Sequence, residues 1–321
     1  MKPRQKHVLL VIETSRAYGR GIIEGVSRYV QERGHWLITF EEQGILTTVP
    51  DVVKTWRGDG IICRTGSSPL GEYIRSLQVP TVELLGDGVS SLSEVQSSAA
   101  ATGQLAAEHF VHCGLTHFAY YTYGNTWWGE ARGNAYENAL RSQGYSCLRF
   151  ESSTHTPKSS FPVWNEESKK DLVKWLRALP APVGIWCAAD TIAFHVHRAC
   201  SELGLRIPDD VALLGADNDT HLCNVLTPQL SSVDPNSGRV GYQAASLLAQ
   251  KMDRRKKMPE LPLLVEPLGV ATRQSTDIIA VDDPDMVRLE RFLQTNACEK
   301  IGLIDIEREL ALSRRTAERR Y

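Results

Sequence analysis

Residues 184–220, GIWCAADTIAFHVHRACSELGLRIPDDVALLGADNDT, hold the pattern that decides the fold of this chain. The apolar run at 184–188 predicts a strand, the helical spacing of apolar residues from about 191 to 203 predicts a helix, and 211–214 predicts a second strand. A glycine and a proline between the helix and the second strand are stop signals. This order indicates two parallel strands joined by a crossover helix.

Acidic residues follow both strands of this unit. Parallel sheets bind ligands at the carboxyl ends of their strands, and those ends carry Asp190 and the sequence Gly-Ala-Asp-Asn-Asp at 215–219. A carboxylate just before a helix is more often an N-cap than a ligand, which is the commoner role for Asp190. No helical pattern follows Asp217 directly, and this favours ligand binding by that residue.

The same alternation of strands and helices runs through most of the chain. Strands are predicted near residues 8–13, 35–42, 58–64, 80–85, 116–121 and 147–151. Amphipathic helices between them place the chain in the α/β class with parallel sheets. Because the rhythm starts afresh at about residue 99, we expect two doubly wound lobes with a cleft that faces the strand ends of both.

The composition is that of a globular protein. The 321 residues are 42% hydrophobic and 23% charged, with a net charge of -2. The seven cysteines include no Cys-x-x-Cys pair, which argues against a disulfide framework and a zinc site. The apolar run Val8–Ile12 is too short for a signal peptide or a membrane span, so we expect a cytoplasmic protein with no membrane partner.

Motifs for cofactors, metals and catalysis are weak. Gly19-x-Gly21-x-x-x-Gly25 imitates a dinucleotide fingerprint, but its spacing is one residue too long and its first glycine does not follow the strand directly. His195 and His197 would point to different faces of a helix. No Gly-x-Ser-x-Gly sequence marks a nucleophile. We therefore expect no cofactor, no metal and no catalytic residue.

Two tryptophans lie next to an arginine in a segment predicted to be a loop. The segment GNTWWGEAR, residues 124–132, contains Trp127, Trp128 and Arg132. One interpretation is that the indoles pack between the lobes. The other is that an indole covers the apolar face of a sugar ring, while the guanidinium donors of Arg132 and the carboxylate of Asp217 bind its hydroxyls.

Several segments together resemble the effector domain of the lactose and galactose repressor family, which is related to periplasmic sugar-binding proteins. The matching segments are GDGII (58–62), VPTVELL (79–85), AAEHFVHCGLTHFAYY (106–121), ARGNAYENAL (131–140), AADTIAFHV (188–196), IPDDVALLGADND (207–219) and TPQLSSV with GYQAASLL (227–248). They occur in the family's order across most of residues 7–273. The resemblance implies a type I periplasmic-binding-protein-like fold, in which three crossover segments form a hinge and a sugar binds in the cleft.

The resemblance also implies individual sugar contacts. Carried over position by position, they fall on Arg132, Asp217 and the loop from Glu13 to Tyr18, to which we add Asp190 and the stacking indoles of Trp127 and Trp128. The chain departs from the family at two positions. Ala189 stands where the family usually has asparagine, and Ser98 stands where it often has aspartate.

The C-terminal segment DPDMVRLERFLQTNACEKIGLIDIERELALSRRTAERRY resembles the start of an AraC-type DNA-binding domain. The resemblance implies a recognition helix with DNA contacts at Ser313, Arg314, Arg315, Thr316 and Arg319. An arginine-rich helix is otherwise typical of a solvated surface. Because such domains normally have two helix-turn-helix units and Tyr321 ends the first, we expect a partial, all-α domain here.

These observations predict a domain organisation. We expect an effector domain at 1–273, a linker at 274–284 and the partial DNA-binding domain at 285–321. Within the effector domain, the first lobe would take about 7–112 and 234–257, and the second lobe about 113–231 and 258–273.

A sugar-binding effector domain followed by an AraC-type segment implies a sugar-responsive transcription regulator. Its expected partners are a pentose, with D-xylose first, a DNA operator and, by family resemblance, a second copy of the chain. Two alternatives remain open. One is a solute-binding protein of a transport system, and the other is an α/β enzyme that acts on a sugar or a nucleotide.

Overall fold

The computed structural model describes residues 4–42, 49–66, 68–85, 92–122, 126–150, 166–253, 262–278, 288–289, 292–293, 296 and 300–310. The chain forms two compact units, residues 1–276 and residues 277–321. The first unit contains two six-stranded sheets flanked by helices, which confirms the predicted two-lobed α/β architecture. Within the described residues, no helix combines the length and hydropathy that crossing a bilayer requires.

The strands are named in chain order. They are β1 (Lys6–Ile12), β2 (Trp36–Glu42), β3 (Gly60–Cys63), β4 (Thr81–Glu83), β5 (Ser93–Ser97), β6 (Phe118–Tyr121), β7 (Cys147–Arg149), β8 (Val183–Cys187), β9 (Val211–Ala216), β10 (Ser231–Asp234), β11 (Leu263–Val265) and β12 (Gly269–Ala271).

The helices are named in the same way. They are α1 (Ala17–Arg33), α2 (Asp51–Lys54), α3 (Pro69–Ser76), α4 (Ala99–His112), α5 (Trp127–Ser142), α6 (Glu166–Ala178), α7 (Asp190–Leu203), α8 (Thr220–Val225), α9 (Ser237–Met252) and α10 (Leu303–Leu310).

Each lobe is built on one sheet. The first has the strand order β11-β5-β4-β3-β1-β2 and is parallel throughout. The second has the order β12-β10-β9-β8-β6-β7, in which only the β10–β12 pair is antiparallel. Helices cover both faces of a parallel sheet, so its central strands are continuously apolar, and Val8 to Ile12 of β1 are buried.

The two cores differ in chemistry. In the first lobe, aliphatic residues of β1 pack under α1 and α9, which cross so closely that a Cβ on Gly25 would lie 1.9 Å from the carbonyl oxygen of Gly238. In the second lobe the core is aromatic. The ring centroid of Trp186 lies 5.3 Å from that of Tyr120 and 5.2 Å from that of Tyr136, and all three residues are fully buried.

The chain crosses between the lobes at places that differ from the prediction. Helix α4 packs against α5, β10 and β12, so the first lobe ends at about Ser97 rather than at residue 112. Strand β11 pairs with β5 in the first sheet, so residues 263–265 belong to the first lobe and not to the second. The partner of a short strand is chosen by contacts far away in sequence, and the local pattern does not contain that choice.

The predicted linker begins inside the first unit. Residues Gln274–Thr276 form a short 3-10 helix, and Ser275 and Thr276 are buried. The backbone N–H of Ser231 donates to the Ser275 hydroxyl oxygen over 2.8 Å. In the second unit the described residues include α10, which begins one residue before the helical sequence IDIERELAL. The remainder of the linker, residues 279–284, lies outside the described residues.

Candidate functional site

A cavity lies between the lobes at the carboxyl ends of their strands. Together with its opening to solvent, it holds about 630 Å³ of space free of protein atoms. From the first lobe it is lined by Arg16, Tyr18, Arg64, Leu84, Gln96 and Ser97. From the second lobe it is lined by Trp127, Trp128, Arg132 and Asp217.

The second lobe contributes a buried ion pair. Arg132, in the second turn of α5, donates to the carbonyl oxygen of Ala188 over 2.6 Å and lies 3.4 Å from Oδ1 of Asp217. The two side chains are only 10% and 14% exposed. Burial raises the pKa of Asp217, and the positive charges of Arg132, Arg16 and Arg64 oppose that rise. The pair therefore presents a fork of donors and a carboxylate side by side.

Asp217 owes its place to an unusual turn after β9. Asp217 and Asn218 have φ angles of 103° and 48°, which non-glycine residues rarely adopt. The turn leads directly into α8, whose N-cap is Asp219. The sequence-based view that no helix follows Asp217 is thus wrong, because α8 has only six residues and too few apolar positions to show a period.

The first lobe contributes a second ion pair, between Glu13 and Arg64. Arg64 Nη1 lies 2.5 Å from Oε1 of Glu13, and its guanidinium carbon lies 5.1 Å from the ring centroid of Tyr18. Burial would lower the pKa of Arg64, but the attraction of Glu13, Tyr18 and Asp217 raises it overall. Glu13, a predicted contact, is buried behind Arg64 and does not line the cavity.

Tyr18, the other predicted contact of the first lobe, does line the cavity. Its hydroxyl lies 3.1 Å from the hydroxyl oxygen of Ser97, which itself donates to the carbonyl oxygen of Pro235 over 2.7 Å. Because the single proton of Ser97 is used on Pro235, Tyr18 is the donor to Ser97. Ser97 and Pro235 lie on two of the segments that cross between the lobes, so this contact links the cavity wall to the hinge.

The two tryptophans begin α5 instead of lying in a loop. Trp127 is 42% exposed at the cavity, and the ring of Trp128 lies 5.7 Å from the guanidinium carbon of Arg132. Both residues line the cavity. Gly129, in the first turn of α5, packs closely: an added Cβ would come within 2.1 Å of the Thr122 hydroxyl oxygen. The contact between Gly129 and Thr122 gives no signal in the local sequence pattern.

Asp190 differs most from its prediction. It is neither an N-cap nor a cavity residue: the N-cap of α7 is Ala189, and Asp190 is the first helical residue and 2% exposed. Its two carboxyl oxygens accept hydrogen bonds from the Ser232 hydroxyl and the backbone N–H of Asp219, each over 2.7 Å. Asp190 therefore supports the turn that carries Asp217.

The two departures from the family pattern have structural uses. Ser98 is the N-cap of α4, and its hydroxyl oxygen accepts from the N–H of Ala101 over 3.2 Å. Ala189 is 1% exposed and is the N-cap of α7. Neither residue is among those that line the cavity.

Several residues that line the cavity were not predicted from the sequence. Arg64 directly follows β3, so the rule that located Asp217 would also have found it. Gln96 and Ser97 lie on β5, whose sequence SEVQS has no apolar alternation and was not predicted as a strand.

Among the described residues, no group of three or more His, Cys, Asp or Glu side chains is placed to hold a metal ion. The predicted DNA contacts, Ser313, Arg314, Arg315, Thr316 and Arg319, lie outside the described residues.

Two family models match the sequence. The model described as "Periplasmic binding protein-like domain" matches residues 107–276, which are more than half of the chain. The model described as "XylR N-terminal domain" matches residues 7–96.

Individual proteins are similar over almost the whole chain. The xylose operon regulatory protein of Escherichia coli (strain K12) is 27% identical over 331 residues, covering 100% of this chain and 82% of that protein. Its namesake in Haemophilus influenzae (strain ATCC 51907 / DSM 11121 / KW20 / Rd) is 27% identical, covering 98% and 81%.

Solved structures agree with the fold. The structure of the xylose-binding transcription activator xylR has a TM-score of 0.75 at 25% identity, covering 100% of this chain and 82% of that chain. The complex of the transcriptional regulator CelR with cellobiose has a TM-score of 0.64 at 20% identity, covering 85% and 86%, and it shows the fold alone.

Proposed function

The chain belongs to the periplasmic binding protein-like family and is a sugar-responsive transcription regulator, not an enzyme, and from this premise we propose that its ligand is a pentose, D-xylose first. One observation carries the proposal. Two arginines, one from each lobe and each paired with a carboxylate, face the same cavity beside two indoles, and the carboxylate of Asp217 faces it as well. Paired donors and acceptors suit vicinal hydroxyls, and an indole suits the apolar face of a sugar ring.

The charges of the cavity wall suit a neutral ligand. Arg64 is paired with Glu13, Arg132 is paired with Asp217, and Arg16 adds to the attraction on Asp217. Hydroxyls can accept from the guanidinium groups and donate to the carboxylate without adding charge to a poorly solvated space. A neutral polyol therefore meets both needs of the cavity.

The proposed mechanism is a shift between open and closed arrangements of the lobes. A ligand favours closure only by its difference in affinity for the two states, and contacts from both lobes supply that difference. Arg132, Asp217 and an indole of Trp127 or Trp128 would hold the sugar from the second lobe, with Arg64 and Tyr18 opposite. The response would reach DNA through the C-terminal segment, in a cytoplasmic homodimer.

Tryptophan fluorescence titrated with D-xylose, L-arabinose, D-ribose and D-glucose tests the ligand. We expect a saturable change with D-xylose, because Trp127 lies at the cavity and is 42% exposed. Calorimetry on the same samples is the control, because it detects binding that leaves the tryptophan fluorescence unchanged. If no sugar binds by either method, the pentose proposal is wrong, although the fold remains.

DNA binding needs a separate test. Selection of bound fragments from a random DNA pool, with and without D-xylose, should enrich one motif with the parent chain. Replacing Arg314, Arg315 and Arg319 by alanine should abolish the enrichment, because phosphate and base contacts depend on these charges. Equal enrichment by the variant would place DNA recognition elsewhere.

A further inference from the structure

Each of the three residues of the turn Asp217–Asp219 donates its backbone N–H in a hydrogen bond that fixes the turn. The N–H of Asp217 donates to the carbonyl oxygen of Val233 over 3.0 Å, and the N–H of Asn218 donates to the Ser232 hydroxyl oxygen over 3.0 Å. The N–H of Asp219 donates to Oδ2 of Asp190 over 2.7 Å. Two successive non-glycine residues with positive φ persist only where the surroundings impose them, and these bonds do so.

Asp190 is the centre of this support. Besides Asp219, it accepts from the hydroxyl of Ser232, which is fully buried and itself holds Asn218. Gly215 leaves the space that the carboxyl group needs, since a Cβ there would lie 2.1 Å from Oδ1 of Asp190. The carboxyl group thus binds one end of the turn directly and its middle through Ser232.

The turn carries two carboxylates with different tasks. Asp217 faces the cavity and Arg132. Asp219 points to the first lobe, where its Oδ2 lies 2.9 Å from Nη2 of Arg20, and Arg20 also donates to the carbonyl oxygen of Thr14 over 2.9 Å. The ligand-facing group and an ion pair between the lobes therefore depend on the same three residues.

We propose that Asp190 is a positioning residue for ligand binding, which acts through the Asp217–Asp219 turn and sets both the cavity carboxylate and the interlobe ion pair. This inference rests on the proposed function. It replaces the direct sugar contact predicted for Asp190 by an indirect role. Loss of the support would let the turn relax toward ordinary φ values, which would withdraw Asp217 from the ligand and Asp219 from Arg20.

Four variants of the full chain test the proposal. Asp190→Ala removes the bonds of the carboxyl group to Asp219 and Ser232, and Ser232→Ala removes the hydroxyl between Asp190 and Asn218. Asp190→Asn is the conservative variant, because the carbonyl oxygen of the new amide can accept from Asp219 while its NH2 group donates to Ser232. Thr191→Ala is the matched control, since the Thr191 hydroxyl is buried next to Asp190 and makes no hydrogen bond with any residue that the structure describes.

Two measurements are made on each variant. Calorimetric titration with D-xylose reports affinity, and hydrogen–deuterium exchange of the peptide that contains residues 217–222 reports the turn without any ligand. We expect Asp190→Ala and Ser232→Ala to weaken binding about tenfold and to speed exchange, while Asp190→Asn stays within about threefold of the parent affinity. Thr191→Ala should change neither.

The outcomes separate this inference from the proposed function. Unchanged exchange in Asp190→Ala would overturn the positioning role. Equal loss of affinity in Asp190→Ala and Asp190→Asn, with exchange unchanged in both, would mean that the carboxylate contacts the ligand directly. If the parent chain does not bind D-xylose, the ligand proposal fails, and the exchange of residues 217–222 still decides whether Asp190 holds the turn.

Discussion

Removing the guanidinium of Arg132 tests the centre of the candidate site. Arg132→Ala leaves the Asp217 carboxylate, which is 14% exposed, without its neighbour at 3.4 Å. Breaking a buried ion pair from one side costs about 3–5 kcal/mol, but 3.4 Å exceeds the roughly 2.7–2.9 Å of a strong charged hydrogen bond. Arg16 and Arg64 also attract Asp217. We therefore expect a loss of about 2 kcal/mol in the free energy of unfolding.

The loss of ligand-binding free energy in Arg132→Ala should exceed the loss in its free energy of unfolding. Arg132 can offer two donors to a sugar, and hydrogen bonds to charged groups contribute about 1.5–3 kcal/mol each. The lower figure for both bonds gives about 3 kcal/mol, so we expect D-xylose binding to weaken by at least about a hundredfold. The assay is calorimetric titration of Arg132→Ala, Asp217→Asn and the double variant. Because the two side chains share one ligand, the double variant should lose less than the sum of the single losses.

The control is Arg141→Ala. Arg141 lies on the same helix, and its Nη1 donates to the side chain of Asn138 at an exposed position, over 3.1 Å. This variant should match the parent chain in affinity and stability. Parent-like D-xylose affinity in both Arg132→Ala and Asp217→Asn would refute the assignment of the cavity, because no ligand held there could avoid the loss of both groups.

Three further predictions concern stability, pH and fluorescence. Gly25→Ala should lower the free energy of unfolding in urea by about 3 kcal/mol, because the new Cβ would lie 1.9 Å from the Gly238 carbonyl oxygen. Burial and the charge of Asp217 raise the pKa of Asp190 to about 8, so the native state keeps a proton that the unfolded chain releases near pH 4. The stability of the parent chain relative to Asp190→Asn should therefore fall between about pH 5 and pH 8, by at most about 1.4 kcal/mol per pH unit in urea titrations. Trp127→Phe should remove most of the fluorescence change on D-xylose binding.

Each of the three has its own control. Gly238→Ala faces the same helix crossing, but the nearest atom to its Cβ is 3.8 Å away, so it should not destabilise the chain. Thr191→Ala should follow the pH profile of the parent chain, and a parallel profile for Asp190→Asn would contradict the proton linkage. Trp175 packs on Phe150 at 5.2 Å and does not line the cavity, so Trp175→Phe should keep the fluorescence response. Loss of the response only in Trp175→Phe would place the signal elsewhere.

Part of the site follows from sequence position. Asp217 was predicted because it follows an apolar strand, and Arg132 because it lies next to two tryptophans after another strand; the family resemblance falls on both residues. Both line the cavity, as the convergence of parallel strand ends predicts. Arg64 obeys the same rule after β3.

The sequence by itself determined the class of fold and the end of each lobe where a ligand would bind. The periodicity of a strand or helix is a local property of the sequence, so it can be recognised without knowing which segments pack together in the fold. Only the tertiary structure decided that Asp190 supports the turn, that Glu13 is covered by Arg64, and that β11 joins the first sheet. Each of these depends on a hydrogen bond or ion pair between residues far apart in the chain, and the choice among several possible partners is made by packing.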